Sequence, residues 1–175
     1  MPATIEQLLF VIDLDQRFMP LLLAYGLHFM TDAHTYSGRR HESKACFNNC
    51  GSIMVSHPER NLRYAEGYAV LANAPPLPFR HAWLVDADGV VRDPTLRAAK
   101  PAIEYFGIIF TTDYLCEVAL STNEFGIFQW DKNPMWDMTE TELQRVIHSK
   151  TSAACFKRMQ TLARAYRRML RRPAK

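Results

Sequence analysis

The chain predicts an α+β fold, with helices before and after a small antiparallel sheet, on three observations. The segment RYAEGYAVL, Arg63 to Leu71, alternates bulky and small residues with the period of a strand. The segment HAWLVDADGVVRDPT, His81 to Thr95, reads as two strands joined by a tight turn. Apolar residues at helical spacing flank this region on both sides, around Leu8 and around Leu162. One domain, 1–175, accounts for the length of 175 residues and is large enough to bury a real core.

Ile5, Leu8, Leu9 and Ile12 form one helical face that breaks around Asp13–Asp15, and a second apolar helix is expected from about Met19 to Phe29. Asp13, Asp15, Arg17 and Pro20 interrupt the apolar run from Leu8 to Met30, which argues for two buried helices rather than a membrane span. Residues 31–42 are polar and read as a loop. Ser43 is the expected N-cap of a helix that places Cys46 in its first turn and stops at Pro58. Phe47, Cys50 and Met54 then share one face of that helix.

In the strand that follows, Tyr64, Tyr68 and Val70 share one face, while Ala65, Gly67, Ala69 and Leu71 leave the other mostly small. NAPPLP is a proline-rich loop into the hairpin, and IEYFGIIF is a third strand. Thr112 is expected to cap a short helix from Asp113 to about Leu120, and FGIFQW reads as a short strand or a packed loop. Thr139 with Glu142 suits a capping box for a helix to about His148. A last helix runs from about 152 to 171.

Hydrophobic residues make up 48 % and charged residues 22 %, which argues against a disordered chain. Residues 1–9 lack the basic start and cleavage motif of a secretion signal, so Cys46, Cys50, Cys116 and Cys155 are expected as reduced thiols in a cytoplasmic protein. The net charge of +3 is unevenly placed. Residues 150–175 carry +9 with no acid, and the rest carries −6. The last helix presents Phe156, Met159, Leu162, Ala163, Tyr166 and Leu170 as an apolar stripe. Arg158, Arg164, Arg167, Arg168, Arg171 and Arg172 surround it, suiting a docked amphipathic helix or a contact with an acidic macromolecular partner.

The hairpin carries the chemistry. Ala87 to Gly89 suit a three-residue loop, a type I turn followed by a left-handed glycine and a bulge. That register pairs Asp86 with Val90 and Trp83 with Asp93, so Asp93 becomes the diagonal neighbour of His81 on the same face. A two-residue turn would put Asp93 on the opposite face. An aspartate that holds one ring nitrogen of a histidine leaves the other to work on a nucleophile. Cys46 is the best candidate, because exposed amide dipoles at a helix start favour a thiolate. The His81–Asp93 face is therefore expected to look toward the helix beginning near Cys46. The backbone N–H of Cys46 is a natural oxyanion donor, with a second from Asn48, Asn49 or the loop before Ser43.

KACFNNCG, RYAEGYA and HAWLVDADGVVRDPT together resemble the core of the transglutaminase-like branch of papain-like cysteine enzymes, across about 43–95. The resemblance implies a papain-like core, with Cys46 as nucleophile, His81 as general acid/base and Asp93 as the residue that orients it. Members of that branch include transferases, peptidases, amidases and non-catalytic domains, and the reaction expected from the thiol is amide or ester hydrolysis or acyl transfer on a peptide, amide or ester through a thioester, without cofactor. Lys44-Ala45 before the cysteine and Phe47 after it, where Gly and Trp are common, argue against protein crosslinking, and hydrolysis is expected because nothing signals a channel for a lysine substrate. No acidic loop reads as a calcium site. Two other readings stay open from the residues. One is a non-catalytic module that engages an acidic partner through its basic helix; the other is a metal site using Cys46, Cys50 and His81.

Overall fold

The computed structural model describes residues 18–31, 42–71, 78–96, 103–129 and 133–148. Among these, four helices and five antiparallel strands make an α+β fold. The helical face Ile5, Leu8, Leu9 and Ile12, the helix expected at 152–171, the arginines from Arg158 to Arg172, Cys155 and most of the two polar and proline-rich loops lie outside the described residues.

Helix α1 (Phe18–Tyr25) is shorter than the apolar run suggested. Pro20 fits in its first turn, where the amides have no intrahelical acceptor. At Gly26 the chain turns: its N–H still reaches Leu22 O at 2.7 Å, and a Cβ there would lie 2.8 Å from the Phe106 ring. Residues expected to extend the helix instead form strand β1 (Leu27–Thr31), paired with the last strand from Leu27 opposite Gly107 to Thr31 opposite Ile103. Edge pairing has overridden the apolar helical pattern.

Helix α2 (Cys46–Ser56) starts with Cys46 itself, after Ala45, and no side chain caps it. Ser43 is therefore not the N-cap. Lys44, between them, turns the chain in the left-handed region with φ of 66°, which carries the backbone past Ser43 before helical bonding begins. Strand β2 (Arg63–Leu71) follows, then β3 (Phe79–Val85), β4 (Val91–Arg92) and β5 (Ile103–Phe110). Helix α3 (Thr112–Thr122) is capped by Thr111, one residue earlier than expected, through its hydroxyl and Tyr114 N. The FGIFQW segment is a buried 3₁₀ turn at Ile127–Gln129 rather than a strand. Thr139 and Glu142 form the expected capping box for helix α4 (Glu140–Val146).

The sheet has the order β1-β5-β2-β3-β4. Its edge strands β1 and β4 nevertheless touch, so the sheet curls on itself. The convex face carries Tyr64, Tyr68, Leu84 and Phe110, which pack against Leu22 of α1, Cys50 and Ile53 of α2, Val118 of α3 and Leu143 of α4. The concave face is filled by Trp83, Tyr105, Ile103 and Ile109 around Ala65 and Ala69. Small residues permit the curl. A Cβ at Gly67 would stand 2.2 Å from Phe106 O, and one at Gly107 would stand 2.4 Å from the Trp83 indole. No helix among the described residues is long and apolar enough to cross a membrane.

Candidate active site

The turn between β3 and β4 sets the site. Asp86 N donates to Val90 O at 3.1 Å and Gly89 N to Asp86 O at 3.1 Å, with Gly89 at φ of 83°. The Asp86 carboxylate reinforces the loop: Oδ1 accepts from Asp88 N at 3.0 Å and Val90 N at 2.9 Å, and Oδ2 accepts from Arg92 Nε at 2.9 Å. This is the three-residue loop with a left-handed glycine. The pairs Val85–Val91 and Leu84–Arg92 bring Asp93 level with Trp83, on the face that carries His81.

His81 and Asp93 meet there. Nε2–H of His81 donates to Asp93 Oδ2 at 2.7 Å, with both side chains almost fully buried. Three further donors converge on the carboxylate: Tyr105 Oη reaches Oδ2 at 2.9 Å, and the amides of Thr95 and Leu96 reach Oδ1 at 2.7 and 2.9 Å. Burial alone would raise the Asp93 pKa. The hydrogen bond and charge of His81, with the two amides, outweigh it and hold the carboxyl below its usual range. Burial by itself would lower His81. Hydrogen bonds with Asp93 and Cys46, and then their charges, outweigh it and lift the imidazole to about 9. The buried pair is therefore ionised at neutral pH.

Cys46 is close enough to the His81 ring for its thiol to add to the upward shift of the imidazole. With Nε2 held by Asp93, Nδ1 is the nitrogen that faces a proton partner. The approach differs from the expected one. The body of α2 packs on the convex face with Ala82 and Leu84, whereas His81 sits with Phe79, Trp83 and Tyr105 on the concave face. β4 ends at Arg92, and its ladder stops before His81. Cys46, the first residue of α2, is the one residue of that helix that acts on the imidazole. Cys46 is 6 % exposed and His81 2 %.

Asn49, one turn after Cys46, ties the helix to the acid-bearing segment. Its Nδ2 donates to Glu42 O at 2.7 Å and to Thr95 Oγ1 at 2.9 Å. Both amide protons are spent, so Asn49 is a clamp and not the second oxyanion donor. The amides of Cys46, Phe47 and Asn48 precede the first intrahelical bond, from Asn49 N to Ala45 O at 2.8 Å. Cys50 is fully buried. Burial first, then the charges of Asp93 and Cys46, push its thiol up, so it stays neutral packing. Among the described residues no group of three His, Cys, Asp or Glu side chains is placed to hold a metal ion, and Cys46, Cys50 and His81 do not form one.

Two residues of this region had no sequence signal. Tyr105 reads as a buried strand aromatic, and only the strand order carries its hydroxyl to Asp93. Glu66 is buried on the convex face, accepting from Tyr64 Oη at 2.9 Å and from the amides of Ile127 and Phe128 at 2.7 and 3.0 Å. Burial pushes it up to about 7, against those three donors and the Arg80 charge. Comparison with protein-family models, curated proteins and solved structures found no match for the chain.

Proposed function

We propose that the chain is a cysteine-dependent acyl-transfer enzyme with a papain-like, transglutaminase-like core, acting through Cys46, His81 and Asp93. The observation that carries this reading is the buried 2.7 Å His81–Asp93 bond, on an imidazole whose pKa the thiol at the start of α2 also raises. With its thiol proton taken up by His81 Nδ1, Cys46 Sγ attacks the carbonyl carbon of an amide or ester and forms the C–S bond. His81 Nδ1 gives its proton to the departing amine or alcohol as the carbonyl re-forms, leaving a thioester. Water then attacks the thioester while His81 takes its proton, and the Cys46 thiolate leaves as the carboxylic acid is released. The amides at the start of α2, which precede its first intrahelical bond, suit the oxyanion. The neutral Asn49 clamp holds the thiol and acid segments together throughout.

Iodoacetamide tests this. Cys46 is expected to be alkylated at pH 6 at least about tenfold faster than Cys116, and Cys46→Ala to abolish acyl-enzyme formation from p-nitrophenyl acetate, read by mass spectrometry. Equal rates at the two thiols, or acylation that survives Cys46→Ala, would end the proposal. The near-complete burial of Cys46 and His81 supports a second reading, a non-catalytic module on the same scaffold. That reading requires Cys46→Ala to leave partner binding intact while removal of residues 156–175 abolishes it.

A further inference from the structure

Tyr105 enters none of the steps above, yet its hydroxyl is spent on the Asp93 oxygen that holds His81. The two oxygens of that carboxylate are divided between two kinds of donor. Among the described residues Oδ1 takes only backbone amides, from Thr95 and Leu96. Oδ2 takes only side chains among the described residues, His81 Nε2 at 2.7 Å and Tyr105 Oη at 2.9 Å. The phenol and the imidazole therefore draw on the same carboxylate oxygen. Because Asp93 is ionised, Tyr105 acts only as a donor. Burial first, then the Asp93 charge and hydrogen bond, push the phenol pKa up, so it remains a neutral donor wherever His81 titrates.

The fold makes a specific provision for this contact. Tyr105 lies on β5, which is separated from β3 by β2. Across the concave face, Ala69 stands between Phe79 and Tyr105, and Gly67 stands between His81 and Gly107. The small face of β2 is thus the trough over which the phenol reaches a carboxylate carried beyond the far strand. Both hydroxyl and carboxylate are sealed from water there, so no solvent donor substitutes for the phenol.

We propose that Tyr105 is a positioning residue: by sharing Asp93 Oδ2 with His81 it limits how tightly the carboxylate holds the imidazolium, and so sets the pH at which His81 releases its proton. This rests on reading Cys46, His81 and Asp93 as one site. A carboxylate without the phenol would hold the imidazolium more firmly, making His81 a weaker acid toward the leaving group. The role is one of tuning through Asp93, not of contact with substrate.

Titration of the ¹⁵N-labelled histidines of the full chain by NMR tests the proposal. In Tyr105→Phe, the His81 midpoint is expected to rise by about 0.5–1 pH unit, the equivalent of one ordinary hydrogen bond. Replacement of Tyr105 by 3-fluorotyrosine, a stronger donor of nearly the same shape, is expected to move it down, and stands in should the Phe variant fail to fold. An unchanged midpoint in either variant overturns the proposal, even if thermal stability falls, since a purely structural phenol would lower stability alone. Alkylating Cys46 in the wild-type chain separates the two levels. If the His81 midpoint ignores that alkylation, the triad reading fails, while the Tyr105 shift is still read independently.

Discussion

Asp93 and Glu66 are both carboxylates 2 % exposed, one on each face of the same curled sheet, and each is met by a tyrosine hydroxyl and two backbone amides. Their titration behaviour is opposite. Asp93 is held below the usual carboxyl range, whereas Glu66 is pushed up to about 7. Desolvation acts on both in the same direction, and the neutral donors are nearly matched. What differs is His81, a full positive charge at 2.7 Å from Asp93, while Glu66 receives only the lesser effect of Arg80. Three neutral hydrogen bonds do not keep a buried carboxylate charged; one adjacent cation does.

The contrast breaks most visibly at Asp93. Asp93→Ala leaves a buried imidazolium and two amides without an acceptor, so urea unfolding at pH 7 is expected to show a loss of about 3–5 kcal/mol. A smaller effect separates the two sites by pH. Glu66 binds its proton more tightly in the folded chain, so its contribution is complete below about 4.5 and lost as pH rises to about 7, a span of about 3 kcal/mol. His81 is also raised, so its contribution is complete below its usual value near 6.5 and lost as pH rises through about 9. Stability measured from pH 5 to 10 should therefore decline in two limbs. Glu66→Gln is expected to remove the lower limb and keep the upper, and Asp93→Ala to do the reverse. The smallest effect is at Tyr64→Phe, which costs about 1 kcal/mol and moves the Glu66 limb to higher pH without touching the His81 limb. A Tyr64→Phe variant that shifts His81 would show the two sites to be coupled.

The same two carboxylates mark what could be read from the sequence. Asp93 lies 12 residues from His81, and a turn with Gly89 at its left-handed position dictates their relation, so the pair was legible from local chemistry. The strands Arg63–Leu71 and Ile103–Phe110 were legible in the same way, from alternation. Glu66 meets amides 61 and 62 residues away, Tyr105 reaches Asp93 only through the strand order, and Asn49 finds Thr95 46 residues away. No local pattern encodes such contacts. Leu27–Thr31 failed for another reason: an apolar run that continues a helix carries no mark of the strand it joins. The start of α2 was misplaced by its cap because Lys44 adopts a backbone conformation that its residue type does not announce.

The loop of Ala87, Asp88 and Gly89 also acts as a parity setting. Every residue after it inherits its face from whether the loop holds an odd or an even number of residues. Lengthening the hairpin by a matched pair of residues, one on each side of the turn, would keep Asp93 beside the concave aromatic cage. Deleting a single residue would turn the carboxylate toward Ala82 and Leu84, into the apolar layer beneath α2. Length changes at this hairpin are thus permitted in one rhythm and forbidden in the other. A count of loop residues in any natural variant of the chain would report whether the acid can still serve its histidine.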